Sequence, residues 1–168
     1  MKYYLNNFLI YSIFGFIVET TLKYLFFPKL NNGSLYGPWI PIYGLGVCII
    51  IIIMRLVFNR IKVNRLLKIA LVFIISFIIL SLLELIAGHI LELITHKAFW
   101  NYTDKTFKIG KYICLEMSLI WGTMSLIVIY FIKPLVDKII KKIPSSITYL
   151  VLIIFLIDSF ISVFSKLN

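Results

Sequence analysis

Five acidic residues lie inside long apolar stretches of this sequence, where an ionised side chain is costly. At the centre of a membrane helix each such charge costs about 2.5 to 3.5 kcal/mol, unless it faces a wet cavity or a partner. The five residues are Glu19, Glu84, Glu92, Glu116 and Asp158. Clustered carboxylates in a low dielectric raise one another's pKa values, which suits proton coupling, and they also bind cations. The alternative is that they join helices by hydrogen bonds.

One apolar stretch carries several of these titratable groups on a single helical face. Glu84, Gly88 and Glu92 are four residues apart, and His96 follows one turn later. His89, Glu92 and His96 also form an H-x-x-E-x-x-x-H run that could hold a metal. Zinc sites usually add a further close ligand and a second shell of hydrogen bonds. We therefore expect interfacial titratable groups here and no metal.

A segment rich in glycine and proline, residues 31–46, contains Trp39 and Tyr43. Irregular backbone is excluded from lipid but tolerated where it lines a cavity, which favours a re-entrant or broken helix start before the second apolar stretch. The alternative is a surface turn followed by a helix with Pro41 at its first position.

A second connection, residues 99–112, mixes aromatic and polar residues, including Trp100 and Tyr102. Such aromatics are often only belt residues at the membrane interface. Because this connection falls on the same side as the glycine-rich segment and adjoins the acids, we expect a lid over a polar pocket. The candidate residues for ligand binding or proton coupling are Glu19, Glu84, Glu92, Glu116, His89, Tyr43, Trp39, Trp100 and Tyr102.

The elements that carry these residues are membrane helices. Of 168 residues, 61% are hydrophobic and 14% charged, which makes lipid the solvent for most of the chain. A spanning helix needs roughly 20 mostly apolar residues. The sequence therefore predicts an all-α, polytopic membrane helix bundle, a single transmembrane domain over residues 1–168, with spans at about 4–27, 41–58, 66–94, 112–132 and 146–164.

Basic residues set the predicted orientation. With five spans, the N-terminus and the second and fourth connections share one side and carry ten of the 17 basic residues. The positive-inside rule places that side in the cytoplasm. Spaced along their helices, Glu19, Glu84 and Glu116 then fall in the outer half of the bilayer, with Glu84 about 24 Å from Lys68. The net charge of +10 is thus explained by the orientation of the chain in the membrane. Because the basic residues form no patch with interleaved aromatic residues, we expect no nucleic-acid partner.

Other features limit the chemistry open to the chain. Cys48 and Cys114 lie far apart in apolar surroundings and have neither disulfide nor metal-ligand spacing. No convincing catalytic constellation appears, so we expect no enzyme and no cofactor. Five spans leave no room for a nucleotide-binding domain, so any ATP hydrolysis requires a separate subunit. Spans one and two also look like a parallel repeat of spans three and four, although sequence identity carries this idea no further.

Several motifs resemble a family of small bacterial multi-pass membrane proteins catalogued as Putative ABC-transporter type IV or ABC transporter permease. The resemblance rests on residues 14–19 (FGFIVE), on residues 33–44 (GSLYGPWIPIYG), on Trp121-Gly122 and on Pro134. Its most specific element is the Gly-Pro-x-x-Pro-x-Tyr-Gly run. The family's second block usually reads Trp-Asp-Tyr and Gly-Arg, where this chain has Asn101 and Lys111, so a salt bridge between those two positions is absent here.

The resemblance implies a transport subunit in the bacterial cytoplasmic membrane, with lipid, a separate ATPase subunit and further copies of itself as the partners to consider. We expect it to bind a cation or a small polar solute in an acid-lined pocket in the outer half of the bilayer. Two alternatives are a membrane-embedded enzyme acting on a lipid or envelope substrate through Glu84, His89 and Glu92, and an accessory protein of a larger complex.

Overall fold

The computed structural model describes residues 1–26, 35–60 and 63–167. Within these ranges five helices are long and apolar enough to cross a membrane, which confirms the predicted helix bundle. The helices and strands are α1 (Lys2–Phe26), α2 (Pro41–Arg60), α3 (Arg65–Thr95), β1 (Lys108–Ile109), β2 (Ile113–Cys114), α4 (Leu115–Ile127), a π-helical turn (Val128–Ile132), α5 (Lys133–Ile140) and α6 (Ser145–Leu167).

Local sequence explains where the helices begin and end. Pro41 opens α2, where its fixed φ suits a first helical residue and its missing N–H costs nothing. Asn64 caps α3 by accepting a hydrogen bond from the backbone N–H of Leu67 at 2.8 Å. At the other end His96 takes a left-handed conformation, with φ of 53°, and closes α3 through its backbone N–H to Glu92.

The fourth span differs from its predicted bounds at both ends. It begins at Leu115 instead of residue 112, because residues 113–114 form a strand, and it continues to Ile140 instead of residue 132. Pro134 lies inside this span, where it lacks an N–H and its ring would clash with the carbonyl of Tyr130. The π-helical turn at Val128–Ile132 precedes the proline and absorbs that misfit.

The chain divides into two compact units. Unit 1 comprises residues 1–48 and 136–168, and unit 2 comprises residues 49–135. In unit 1, α1 packs against α6, and a small core forms around Leu9, Trp39 and Phe155. In unit 2, α3 packs against α4, and the core forms around Ile50, Met54 and Val72.

Both units bury polar side chains and expose apolar ones, as expected when the solvent is lipid. Fully buried residues include Asn7, Ser12, Ser76 and Thr148, whereas Phe160 is 73% exposed. In unit 2, Ser81 donates to Ser118 at 2.6 Å, a hydrogen bond that joins α3 to α4. Small polar residues therefore mediate helix packing.

Candidate functional site

Glu84 of α3 is the most deeply buried acid in the described parts of the chain. Its side chain is 5% exposed. The Tyr102 hydroxyl donates to Oε1 at 2.8 Å, and the Trp121 indole donates from Nε1 to Oε2 at 3.0 Å. Among the described residues it has no ion pair. A carboxylate is thus held in the interior of unit 2 by two neutral donors.

Glu92, two turns further along α3, has a different environment. Lys111 forms an ion pair with one carboxylate oxygen, and the Tyr112 hydroxyl donates to the other. The hydrogen bond to Glu92 raises the pKa of Lys111, because it favours the protonated amine. Both partners come from the connection between α3 and α4, so this acid fastens that connection to the helix.

The connection between α3 and α4 is folded. Asn101 Oδ1 accepts a hydrogen bond from the backbone N–H of Thr103 at 2.9 Å, which forms a turn with Tyr102 at its centre. The backbone N–H of Tyr102 donates to Lys111 O at 2.9 Å. β1 and β2 pair in antiparallel fashion around Gly110, whose φ of +64° favours glycine. These bonds position Tyr102 over Glu84 and Tyr112 over Glu92.

In unit 1, Glu19 of α1 is also paired. Lys23, one turn later on the same helix, lies 2.6 Å away, and the Tyr43 hydroxyl donates to the carboxylate at 3.0 Å. Tyr43 is close to the start of α2, so the bond joins two helices. The predicted residues Glu19 and Tyr43 are therefore brought together.

Asp158 of α6 accepts hydrogen bonds from the glycine- and proline-rich segment. Its carboxylate accepts from the backbone N–H of Gly37 at 3.1 Å and from the Trp39 indole at 2.9 Å. The backbone N–H of Ile40 donates to Ser12 O on α1 at 3.0 Å. Residues 35–40 are thus irregular, as predicted, and the backbone N–H groups of Tyr36, Gly37, Trp39 and Ile40 have partners within unit 1. Re-entry into the membrane stays a prediction, and residues 31–34 lie outside the described ranges.

The same four-residue arrangement occurs once in each unit, and we call it a glycine–glutamate clasp. A tyrosine ring packs on a helical glycine, so that a Cβ there would overlap the ring. The tyrosine hydroxyl donates to the glutamate four residues after that glycine, and a lysine pairs with the same carboxylate. The clasps are Gly15, Glu19, Lys23 and Tyr43 in unit 1, and Gly88, Glu92, Lys111 and Tyr112 in unit 2.

A family profile described as "Putative ABC-transporter type IV" matches residues 6–165, a stretch that includes both clasps and Glu84. No curated protein and no solved structure matched the chain.

The chain belongs to this Putative ABC-transporter type IV family. It is therefore a multi-pass membrane protein of an ABC-transporter type, as the resemblance implied. Five apolar helices agree with direct contact between this ABC-transporter type IV protein and lipid.

The remaining predicted residues of this ABC-transporter type IV protein occupy other positions. Glu116 is exposed in the first turn of α4, where a negative charge suits the helix N-terminus. His89 is exposed, and its ring meets Tyr112 edge to face at 4.9 Å. Trp100 also packs on Tyr112, at 5.9 Å, and its indole N–H is buried with no hydrogen-bond partner in the described parts of the chain.

In the described ranges the side chains do not assemble into a site for metal or thiol chemistry. No group of three or more His, Cys, Asp or Glu side chains converges there. Glu92, the centre of the possible metal run, is engaged by Lys111 and Tyr112. Cys114 is buried, and desolvation raises the pKa of its thiol, which disfavours the reactive thiolate.

Three residues of these contacts are absent from the predicted site. Trp121 belongs to a family motif, Lys111 replaces an arginine of the family, and Asp158 is one of the five acids in the apolar stretches. An acid paired with an indole or with a distant lysine leaves no periodic pattern in the sequence. The only available cue was a tryptophan near the start of each of two apolar spans.

Proposed function

We propose that this chain is the membrane-embedded subunit of an ABC-type transporter and that Glu84 binds a cation or the polar group of a small solute. The observation that carries the proposal is the burial of the Glu84 carboxylate, with hydrogen bonds from Tyr102 and Trp121 but no basic partner among the described residues. Every other buried or half-buried glutamate in those ranges has a lysine beside it.

The electrostatics favour a positively charged or proton-bearing occupant at Glu84. Two neutral donors offset part of the cost of burying a carboxylate, but they leave its negative charge uncompensated. In a low-dielectric interior that charge is balanced by a bound proton, a metal cation or an ammonium group. Glu84 therefore differs from Glu19 and Glu92, whose charges are already balanced by Lys23 and Lys111.

Access to Glu84 would be controlled by the connection between α3 and α4. Tyr102 belongs to that connection, and its hydroxyl covers Oε1 of Glu84. Movement of Tyr102 would free one carboxylate oxygen for a ligand, whereas Trp121 holds the other from α4. With the N-terminus in the cytoplasm, as the basic residues predict, this connection is the outer lid and the site opens outward.

We propose binding and transport over catalysis. The Cys114 thiol is buried with a raised pKa, and no cluster of metal-ligating side chains forms in the described ranges. In this proposal a separate ATPase subunit supplies the energy.

The first experiment measures thermal unfolding of the detergent-purified protein against a panel of metal cations, amines and small metabolites. A ligand that binds only the folded state stabilises it by about 2.7 kcal/mol at 100 times its dissociation constant. We expect one ligand class to raise the unfolding temperature of the wild type and to have no effect on Glu84→Gln. Glu116→Gln, which changes an exposed acid in the same unit, should keep the full shift.

Two results would contradict this proposal. An equal ligand-induced shift in wild type and Glu84→Gln would remove Glu84 from the binding site. No shift with any ligand, together with equal stability of the two proteins, would favour the accessory function instead. The two clasps support that second candidate, because their acids fasten tyrosine-bearing segments to helices and need no ligand to be satisfied.

A further inference from the structure

Three polar atoms near the start of α1 are buried in unit 1 and have no hydrogen-bond partner among the described residues. They are Asn6 Nδ2, Asn7 Oδ1 and the Tyr11 hydroxyl. The three residues are 3%, 0% and 2% exposed. A buried polar group left unsatisfied costs about 1 to 3 kcal/mol, so native proteins rarely keep three of them within one helical segment. The cost is avoided if a ligand or ordered water binds these atoms.

Each amide uses one of its two polar atoms in a hydrogen bond. Asn7 uses its Nδ2 to donate to Tyr3 O at 2.8 Å, and its Oδ1 is the unpaired acceptor. Asn6 Oδ1 accepts from the Thr148 hydroxyl at 2.9 Å, and its Nδ2 is the unpaired donor. The Tyr11 hydroxyl can both donate and accept. The unpaired set therefore contains both kinds of hydrogen-bonding group.

The surroundings of these atoms favour a neutral occupant over an ion. Asn7 and Tyr11 are four residues apart and share a face of α1 with Tyr3. The Tyr3 hydroxyl already donates to Asp137 at 2.9 Å, so the nearby carboxylate has a partner. A metal cation would meet the Asn6 N–H donor, and an anion would meet the Asn7 carbonyl. Water, which donates and accepts equally, suits all three atoms.

The position of Tyr11 relative to its glycine–glutamate clasp matches that of Glu84 relative to the other clasp. Tyr11 lies four residues before Gly15, just as Glu84 lies four residues before Gly88. In both helices the residue one turn before the clasp glycine is therefore buried and polar. In unit 2 it is an acid with neutral donors, and in unit 1 it is a phenol with an unpaired hydroxyl.

From these observations we infer that ordered water binds at Asn6, Asn7 and Tyr11 within unit 1, where Tyr11 lies at the helix position that Glu84 occupies in unit 2. This goes beyond the proposed transport function and does not depend on a ligand at Glu84. The inference places bound water beside α1, a helix whose composition is that of an apolar membrane span.

Radiolytic hydroxyl-radical labelling of the full-length protein in lipid nanodiscs tests the inference, because side chains beside bound water are oxidised even when buried. Tyr112 is the matched control, since it is 1% exposed and its hydroxyl already donates to Glu92. We expect Tyr11 to be labelled severalfold faster than Tyr112. Labelling of Tyr11 at or below the rate of Tyr112 would overturn the water site.

A substitution gives an independent measurement. If water satisfies the Tyr11 hydroxyl, Tyr11→Phe removes a hydrogen bond and lowers the unfolding temperature by about 2 to 4 °C. If the hydroxyl is buried and dry, Tyr11→Phe removes an unsatisfied group and raises that temperature, which would contradict the inference. The labelling comparison uses the wild type, so it remains decisive if the variant fails to fold.

Discussion

Four of the five acids in the apolar stretches each accept a hydrogen bond from a tryptophan or tyrosine side chain, and the identity of the second partner separates their roles. Glu19 and Glu92 have lysines, Asp158 has the backbone N–H of Gly37, and Glu84 has only a second neutral side chain. Indole and phenol groups suit a membrane interior because each brings a single donor on a large apolar ring. Charge balance therefore separates Glu84 and Asp158 from Glu19 and Glu92, and deeper burial distinguishes Glu84 from Asp158.

The Glu92 clasp predicts a loss of stability at alkaline pH. The hydrogen bond to Glu92 raises the pKa of Lys111, and desolvation followed by the same carboxylate raises that of Tyr112. The folded protein thus holds these protons more tightly than the unfolded chain. The resulting stabilisation is complete below their ordinary values of about 10 to 10.4 and is lost as the pH rises above them.

We therefore expect the unfolding temperature of the wild type to fall between pH 9.5 and 11 more steeply than that of Glu92→Gln. Differential scanning fluorimetry at a series of pH values makes the comparison. Glu116→Gln, an exposed acid of the same unit, should keep the wild-type slope. Identical slopes in all three proteins would show that the clasp does not bind these protons.

At the scale of elements, helices and connections are joined by glycines that admit large rings. A Cβ on Gly88 would overlap the Tyr112 ring, and one on Gly15 would overlap the Tyr43 ring. Gly44 likewise allows α2 to approach the backbone of α1 at Phe8. The clasp glycines thus allow a tyrosine to lie flat on a helix and reach an acid one turn away.

A double-mutant cycle tests this steric account in unit 2. Gly88→Ala should lower the unfolding temperature by roughly 5 °C, because the added methyl overpacks the Tyr112 ring. Combined with Tyr112→Ala, which removes the ring, the same change should cost almost nothing further. If the two costs simply add, the glycine serves a purpose other than making room for the tyrosine.

The Gly110 turn is the matched control for that cycle. A Cβ at Gly110 would meet no atom within 4 Å, and its cost would come only from the φ of +64°. Gly110→Ala should therefore lower stability whether or not Tyr112 is present, since backbone strain does not depend on the ring. This contrast separates overpacking from conformational strain.

At the scale of the whole molecule, the spans could be predicted from the sequence because runs of apolar residues have a length that the bilayer dictates. The family could be predicted because its Gly-Pro-x-x-Pro-x-Tyr-Gly motif is present at residues 37–44. The bond between Tyr102 and Glu84 could not, because it depends on how residues 96–114 fold back on α3. Two-residue strands such as β1 carry no periodic pattern. The role of Trp121 depends on the packing of α4 against α3, which apolar composition does not encode.

The single transmembrane domain and the cytoplasmic N-terminus stay predictions, and cysteine labelling tests the orientation. In a background lacking Cys48 and Cys114, both of which are buried, Lys108→Cys places a thiol in the predicted outer connection and Lys141→Cys places one in the predicted inner connection. An impermeant maleimide should label Lys108→Cys in intact cells and Lys141→Cys only after permeabilisation. The reverse pattern would invert the topology and turn the Glu84 lid toward the cytoplasm.

The two donors to the Glu84 carboxylate differ in what they can offer a cation. An indole N–H donates and has no lone pair to offer, so Trp121 Nε1 cannot coordinate a cation. A phenol can turn and offer its oxygen, so under the proposed function Tyr102 would change from a donor to Glu84 into a ligand of the bound cation. The hydroxyl that shields Glu84 in this structure would then complete the coordination shell of that cation.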